Sequence, residues 1–170
     1  MRKSDSAIFR LTLAALIAAL YTAITVVLAP ISYGPMQVRV SEALTILPMF
    51  TPAAIPGLFV GCIIANLMGG AVILDVIFGS IATLIGAIGG YFLRFNRWLV
   101  PIPTIVSNTV IIPFVLRYGY GVQIPLPLSM LYIFIGEVVG CYLLGEILAS
   151  GLLKTNVFDH LGKSSGKQED

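Results

Sequence analysis

Long apolar runs, separated by short polar or proline-rich breaks, dominate the pattern of this chain. The runs cover residues 7–29, 43–71, 72–92, 99–116 and 126–153. They are far longer than strands, and most approach the about 20 apolar residues that cross a bilayer as a helix. Pro30 closes the first run, and a turn-rich stretch follows to Arg39. The run 43–71 is broken at Thr51-Pro52 and again at Pro56, so it reads as one kinked helix or as two. Basic residues decide between these, because cytoplasmic flanks are enriched in Lys and Arg. The N-terminus carries Arg2, Lys3 and Arg10, the connection after the third run boundary carries Arg94 and Arg97, and the tail carries Lys154, Lys163 and Lys167. Two helices bring all three groups to one side, whereas a single helix sends the later two across. The expected fold is therefore all-α and polytopic, with six transmembrane helices over 1–153, both termini inside, and a polar cytoplasmic tail over 154–170. The second span is then short, and its polar neighbours are expected to pack against protein.

Composition agrees: 58% of the residues are hydrophobic and 11% charged, against about a quarter charged in soluble domains. The net charge of +2 is too small to suggest a nucleic-acid partner. The first run is too long for a cleaved signal peptide and lacks a small-residue cleavage site, so it is expected to stay as a helix. Small residues recur at four-residue spacing, as in Ala14/Ala18, Ala15/Ala19, Gly57/Gly61, Gly86/Gly90 and Gly136/Gly140. That spacing lets helix backbones approach closely in lipid. Cys62 and Cys141 sit in apolar runs, without metal-like spacing to each other or to His160, and read as small buried hydrophobes.

The few polar residues inside the apolar runs are the informative ones, since a charge at depth faces a cavity or a partner. On the six-helix arrangement Arg39 and Glu42 stand where the chain re-enters from outside. Asn66 lies near the outer end of the third helix, and Asp75 at the outer start of the fourth. Asn108 is mid-way along the fifth, and Glu137 lies near the middle of the sixth. A structural Arg39–Glu42 ion pair and an N-capping role for Asp75 are the plain alternatives. Glu137 has apolar flanks on both sides, so it and Asn108 are expected to contact a ligand. Glu146 lies nearer the inner end and is expected to meet a partner or a headgroup. Tyr33, Tyr118, Tyr120 and Tyr132 form either an interfacial belt or a stacking surface.

Catalytic motifs are missing. Gly162-Lys163-Ser164 resembles the end of a phosphate-binding loop, but Val157 stands where the upstream glycine is required. No H-E-x-x-H and no Ser-His-Asp set share a compartment, so neither enzymatic activity nor ATP hydrolysis is expected of this chain. No inverted repeat of the kind secondary transporters carry is visible either.

One resemblance runs nearly the whole length. The segments YGPMQVRVSEALTILP at 33–48, TPAAIPGL at 51–58, GCIIAN at 61–66 and DVIFG at 75–79 resemble the queuosine-precursor transporter family (QueT type). Members are substrate-binding S components of energy-coupling-factor importers. The resemblance implies a six-helix S-component bundle in the prokaryotic plasma membrane, with a membrane coupling subunit (T component) and two cytoplasmic ATPases as partners and no cofactor or metal. It implies a 7-deazaguanine queuosine precursor as ligand. It also implies a site drawn from Glu137, Asn108, Asp75, Asn66, Glu42, Arg39, Gln37 and Tyr33, with Ala14, Ala15, Ala18 and Ala19 as the partner-docking face. A carboxylate such as Glu137 or Glu42 suits the paired N–H donors of a guanine-like edge, an asparagine suits its carbonyl or ring nitrogen, and Tyr33 suits its flat face. Asp75 suits an aminomethyl group, should the ligand carry one. The rival expectations are a carrier or channel driven by an ion gradient, with Glu137 and Asp75 as a proton relay, and a membrane enzyme or assembly subunit.

Overall fold

The computed structural model describes residues 3–33 and 37–155, with side chains from Ala7 onward. Arg2, His160, Lys163 and Lys167, and most of the expected tail, lie outside the described residues. The described chain is all helical: α1 (Lys3–Val27), α2 (Ala29–Ser32), a 3₁₀ helix (Val40–Met49), α3 (Ala54–Met68), α4 (Ile73–Phe92), a short 3₁₀ turn (Arg97–Leu99), α5 (Ile102–Gly119) and α6 (Leu126–Glu137). A π-helical stretch (Val138–Leu144) and α7 (Gly145–Thr155) complete it.

Four stretches have the length and hydropathy to cross a membrane: Ala7–Val27, Ile73–Phe92, Arg97–Gly119 and Leu126–Thr155. The expected division of 43–71 is present, since Val40–Met49 and Ala54–Met68 are separate apolar helices. Both are shorter than a full span. Where six spans were expected, the described chain holds four membrane-length helices and two shorter ones.

Prolines explain the division. Pro48 lies inside the 3₁₀ helix and Pro52 just after it; neither can donate to a continuing ladder. The tighter 3₁₀ winding suits a segment confined in the middle of the bundle. Every residue from 41 to 48 is buried, and the helix packs against α1, α3, α4, the π-helical stretch and α7. After α3 the chain turns through Gly69 and Gly70, the latter at φ +71°, a left-handed geometry that favours glycine.

Except for Ala15 and Ala19, which are exposed, the small-residue rows are consumed inside the molecule. A Cβ on Gly57 would meet the Ala14 carbonyl at 2.7 Å, and one on Gly61 would meet Ala18 Cα at 3.0 Å, so α1 and α3 cross backbone to backbone. Gly86 and Gly90 do the same for α4 against Thr104 and Val100. Gly136 and Gly140 receive something other than a helix. A Cβ on Gly136 would run into the Gln37 carbonyl, and one on Gly140 would lie 2.7 Å from the Arg39 carbonyl. The segment leading into the 3₁₀ helix is thus seated along the α6–π face, and this brings Arg39 and Glu42 to the level of Glu137.

Candidate functional site

The polar residues singled out from the sequence converge in two touching clusters. The first gathers around Asp75. Its Oδ2 accepts from the Tyr120 hydroxyl at 2.9 Å and lies 3.7 Å from Arg39 Nη2. Asn66 Nδ2 donates to the Asp75 backbone carbonyl at 3.2 Å. Arg39 Nε donates to the Ser32 carbonyl at 3.2 Å, and its guanidinium lies 5.5 Å from the centre of the Tyr33 ring. The Tyr33 hydroxyl donates to the Ala65 carbonyl at 2.7 Å, laying the ring over the glycine end of α3. A side chain at Gly79 would press on Asp75 Oδ1 at 2.7 Å, so glycine keeps the space beside that oxygen open. Burial raises the Tyr33 phenol above its ordinary range, against the opposing pull of Arg39. Burial, then the Asp75 carboxylate, push Tyr120 up to about 12, so it remains a protonated donor at neutral pH.

The second cluster gathers around Glu137. Its Oε1 accepts from Asn108 Nδ2 at 2.8 Å and its Oε2 from the Cys141 thiol at 2.9 Å. Glu42 Oε1 accepts from the Tyr21 hydroxyl at 2.5 Å. One ligating atom each of Glu42, Glu137 and Cys141 lies within 4.8 Å of the others. Two carboxylates and a thiol at such range are a donor set that suits a positive group, metal or organic. Thr25 and Ser41, hydrogen-bonded to each other at 2.6 Å, tie α1 to the 3₁₀ helix beside Glu42.

The two plain alternatives for these acids do not hold. Arg39 pairs with Asp75 rather than with Glu42. Asp75 does not cap α4, whose N-cap is Val72 with no side-chain bond. Glu137 has one local partner after all, Cys141 a single turn on. Neither cysteine is a mere hydrophobe: Cys62 Sγ accepts from Thr83 at 3.5 Å and from Asn66 at 3.7 Å. Glu146 sits 3.3 Å from Arg97 of the same chain, so its ion pair is internal.

Seven of the eight expected site residues are buried: Gln37, Arg39, Glu42, Asn66, Asp75, Asn108 and Glu137. Tyr33 is half-buried. The Gln37 backbone lies against Gly136. Sequence reasoning missed Tyr21 and Cys141, and placed Tyr120 only in a general aromatic belt or stacking surface, not as the partner of Asp75. The signal for Cys141 was its four-residue spacing from Glu137. Buried polar atoms normally find partners, yet Glu42 Oε2, Asn66 Oδ1, Asp75 Oδ1 and Arg39 Nη2 make no hydrogen bond. Those atoms mark the acceptors and the donor that the protein itself leaves unused. Of the four alanines expected to dock a partner, Ala14 and Ala18 are buried, while Ala15 and Ala19 are exposed on a groove of about 540 Å³ between α1 and α3.

The family described as "QueT transporter" matches residues 11–154. A curated protein of Lactococcus lactis subsp. cremoris (strain MG1363), named a queuosine precursor transporter, is 38% identical over 87 residues, a stretch covering 50% of each chain. By that match the chain spans about half the length of its curated relative. No solved structure matches it.

Proposed function

We propose, from the premise that this chain belongs to the QueT transporter family, that it captures a 7-deazaguanine precursor of queuosine for import. In this reading it is the substrate-binding component of an ATP-driven importer of the energy-coupling-factor type. One observation carries the ligand-binding part: a set of hydrogen-bonding side chains is buried together within an otherwise apolar helical bundle, with several of its atoms unpartnered. Isolated polar groups in such surroundings are costly and mark a functional site. The name of the Lactococcus relative supports the substrate class.

Glu137 is the acceptor for the paired N–H donors of the guanine-like edge, with Asn108 and Cys141 fixing its orientation. Asn66 Oδ1 accepts a further ligand N–H. Tyr33 stacks on the ring, and Arg39, pinned between Asp75 and the Ser32 carbonyl, presents a donor to a ligand carbonyl. Catalysis of ATP hydrolysis belongs to two cytoplasmic partner subunits, joined through a membrane coupling subunit that docks on the exposed side of α1 at Ala15 and Ala19. The protein resides in the prokaryotic plasma membrane with its site toward the outside.

A thermal-shift series on the purified protein tests the reading. Queuosine precursors should raise the midpoint, and guanine and B vitamins should not. Proteoliposomes holding this chain alone should bind precursor without accumulating it, and ATP-dependent uptake should need the partners. Accumulation by the chain alone under an ion gradient would favour the gradient-driven carrier instead.

A further inference from the structure

We infer that the inner end of α4 binds an anionic phospholipid, with the lipid phosphate on Arg94 and the acyl chains along Phe92 and Phe95. This binding needs only that the bundle lies in a membrane with its Arg94 end inside, whatever molecule the bundle carries.

Position comes first. α4 runs 20 residues from Ile73 to Phe92, a length of about 30 Å that matches the hydrocarbon core of a bilayer. Arg94 follows two residues later, at the level of the headgroups. There a cavity of about 630 Å³ opens between Met49, the last residue of the 3₁₀ helix, and Tyr91, Phe92, Arg94 and Phe95. The Arg94 guanidinium lies 4.0 Å from the centre of the Tyr91 ring, which holds the charge at the cavity wall. Stacking on a ring face leaves the N–H donors along the guanidinium edge free. Beside it Phe92 is 71% exposed and Phe95 78%.

The charge pattern says what fills the cavity. Among the described residues the ion pairs are Arg39–Asp75 and Arg97–Glu146. Arg97, three residues on, is thus matched by an acid, and Arg94 is not. No carboxylate lines the cavity either. An unmatched guanidinium suits a phosphate, which its planar fork meets with two hydrogen bonds. With no carboxylate to receive it, the ammonium of a zwitterionic headgroup gains nothing here. The phenylalanines separate a lipid from a free phosphate: a soluble anion would leave both rings uncovered, whereas acyl chains entering from the bilayer cover them. Aromatic rings at this depth and basic cavities on the cytoplasmic side both suit a bilayer headgroup region.

Native mass spectrometry of the purified full-length protein tests this, from micelles holding equal amounts of dioleoylphosphatidylglycerol and dioleoylphosphatidylcholine. The protein should retain the anionic lipid about fivefold over the zwitterionic one, the preference one arginine near the surface gives. Arg94→Gln should bring the two to parity. Arg117→Gln, in the last turn of α5 at the opposite end, should leave the preference in place. Phe92→Ala/Phe95→Ala should lower retention of both lipids, and soluble glycerol 3-phosphate should not compete. The wild-type comparison stands even if a variant fails to fold. Parity in the wild type would overturn the inference, as would a preference that survives Arg94→Gln or is lost equally in Arg117→Gln. Competition by glycerol 3-phosphate, or retention unchanged in the double phenylalanine variant, would overturn a lipid as the occupant. Loss of the anionic lipid when the coupling subunit and the ATPases are added would overturn it in favour of a protein interface.

Discussion

At the scale of single residues, the cluster depends on phenols that hold carboxylates. Tyr21 is fully buried and gives Glu42 its one partner. Tyr21→Phe keeps the ring and removes the donor, leaving both oxygens of a buried acid unpartnered. The expected loss is about 2 kcal/mol of stability, read as a lower denaturation midpoint in detergent, and a stability unchanged within about 0.5 kcal/mol would remove Tyr21 from the network. Tyr120 lies beyond the end of α5 and allows a pH test. Its phenol is held at about 12 by burial and then by Asp75, above the ordinary value of about 10. A raised value means that the contribution is complete below about pH 10 and disappears as pH climbs through about 12. Alkaline unfolding followed by circular dichroism should show that limb, and Tyr120→Phe should flatten it. An identical alkaline profile in the variant would show that the Tyr120–Asp75 bond does not contribute.

At the scale of elements, the site is made by an unusual pairing. A run of irregular and 3₁₀ backbone is seated on the glycine face of α6 and the π-helical stretch. Gly136 is the tightest point of that seat, since any side chain there meets the Gln37 carbonyl. Gly136→Ala should push residues 37–39 away from α6 and separate Glu42 from Glu137. Precursor affinity should fall by about tenfold or more, a loss of at least about 1.4 kcal/mol; affinity equal to wild type would show that the contact tolerates a methyl group. Much of this was legible in advance. Arg39, Glu42, Asn66, Asp75, Asn108 and Glu137 each stand in apolar surroundings, where a polar group is informative by its rarity. The division of 43–71 followed from two prolines and the placement of basic residues. What could not be read was pairing. Tyr and Cys occur in apolar helices for many reasons, so nothing local marks Tyr21 as the partner of Glu42, 21 residues away. The Gly136/Gly140 spacing was read as a helix–helix contact, because spacing reports that a close neighbour exists and not what kind it is. The π-helical winding after Glu137 has no hydrophobic period of its own to announce it.

For the whole molecule, the question is which surface is free to meet another protein. Ala7–Val27 is the least enclosed of the four long helices: 22% of its most apolar window is buried, against 39% to 56% in the other three. Its two alanine registers have separate tasks. Ala14 and Ala18 close against Gly57 and Gly61 of α3, where added bulk must force the helices apart, an overpacking cost of about 1–3 kcal/mol. Ala15 and Ala19 are exposed and line the outward groove with Val60 and Ile64, where added bulk fills open space rather than a closed backbone contact. The paired variants Ala14→Leu/Ala18→Leu and Ala15→Leu/Ala19→Leu should therefore fail differently. The inward pair should lower the thermal midpoint and weaken precursor binding along with it. The outward pair should keep both, and yet abolish ATP-dependent uptake in proteoliposomes that contain the coupling subunit and the ATPases. Full uptake by the outward pair would mean that this face looks only at lipid, and the docking surface would have to be sought elsewhere on the bundle. Loss of precursor binding by the outward pair would show instead that α1 transmits its packing directly to Glu42, through Tyr21 and Thr25 on its opposite side.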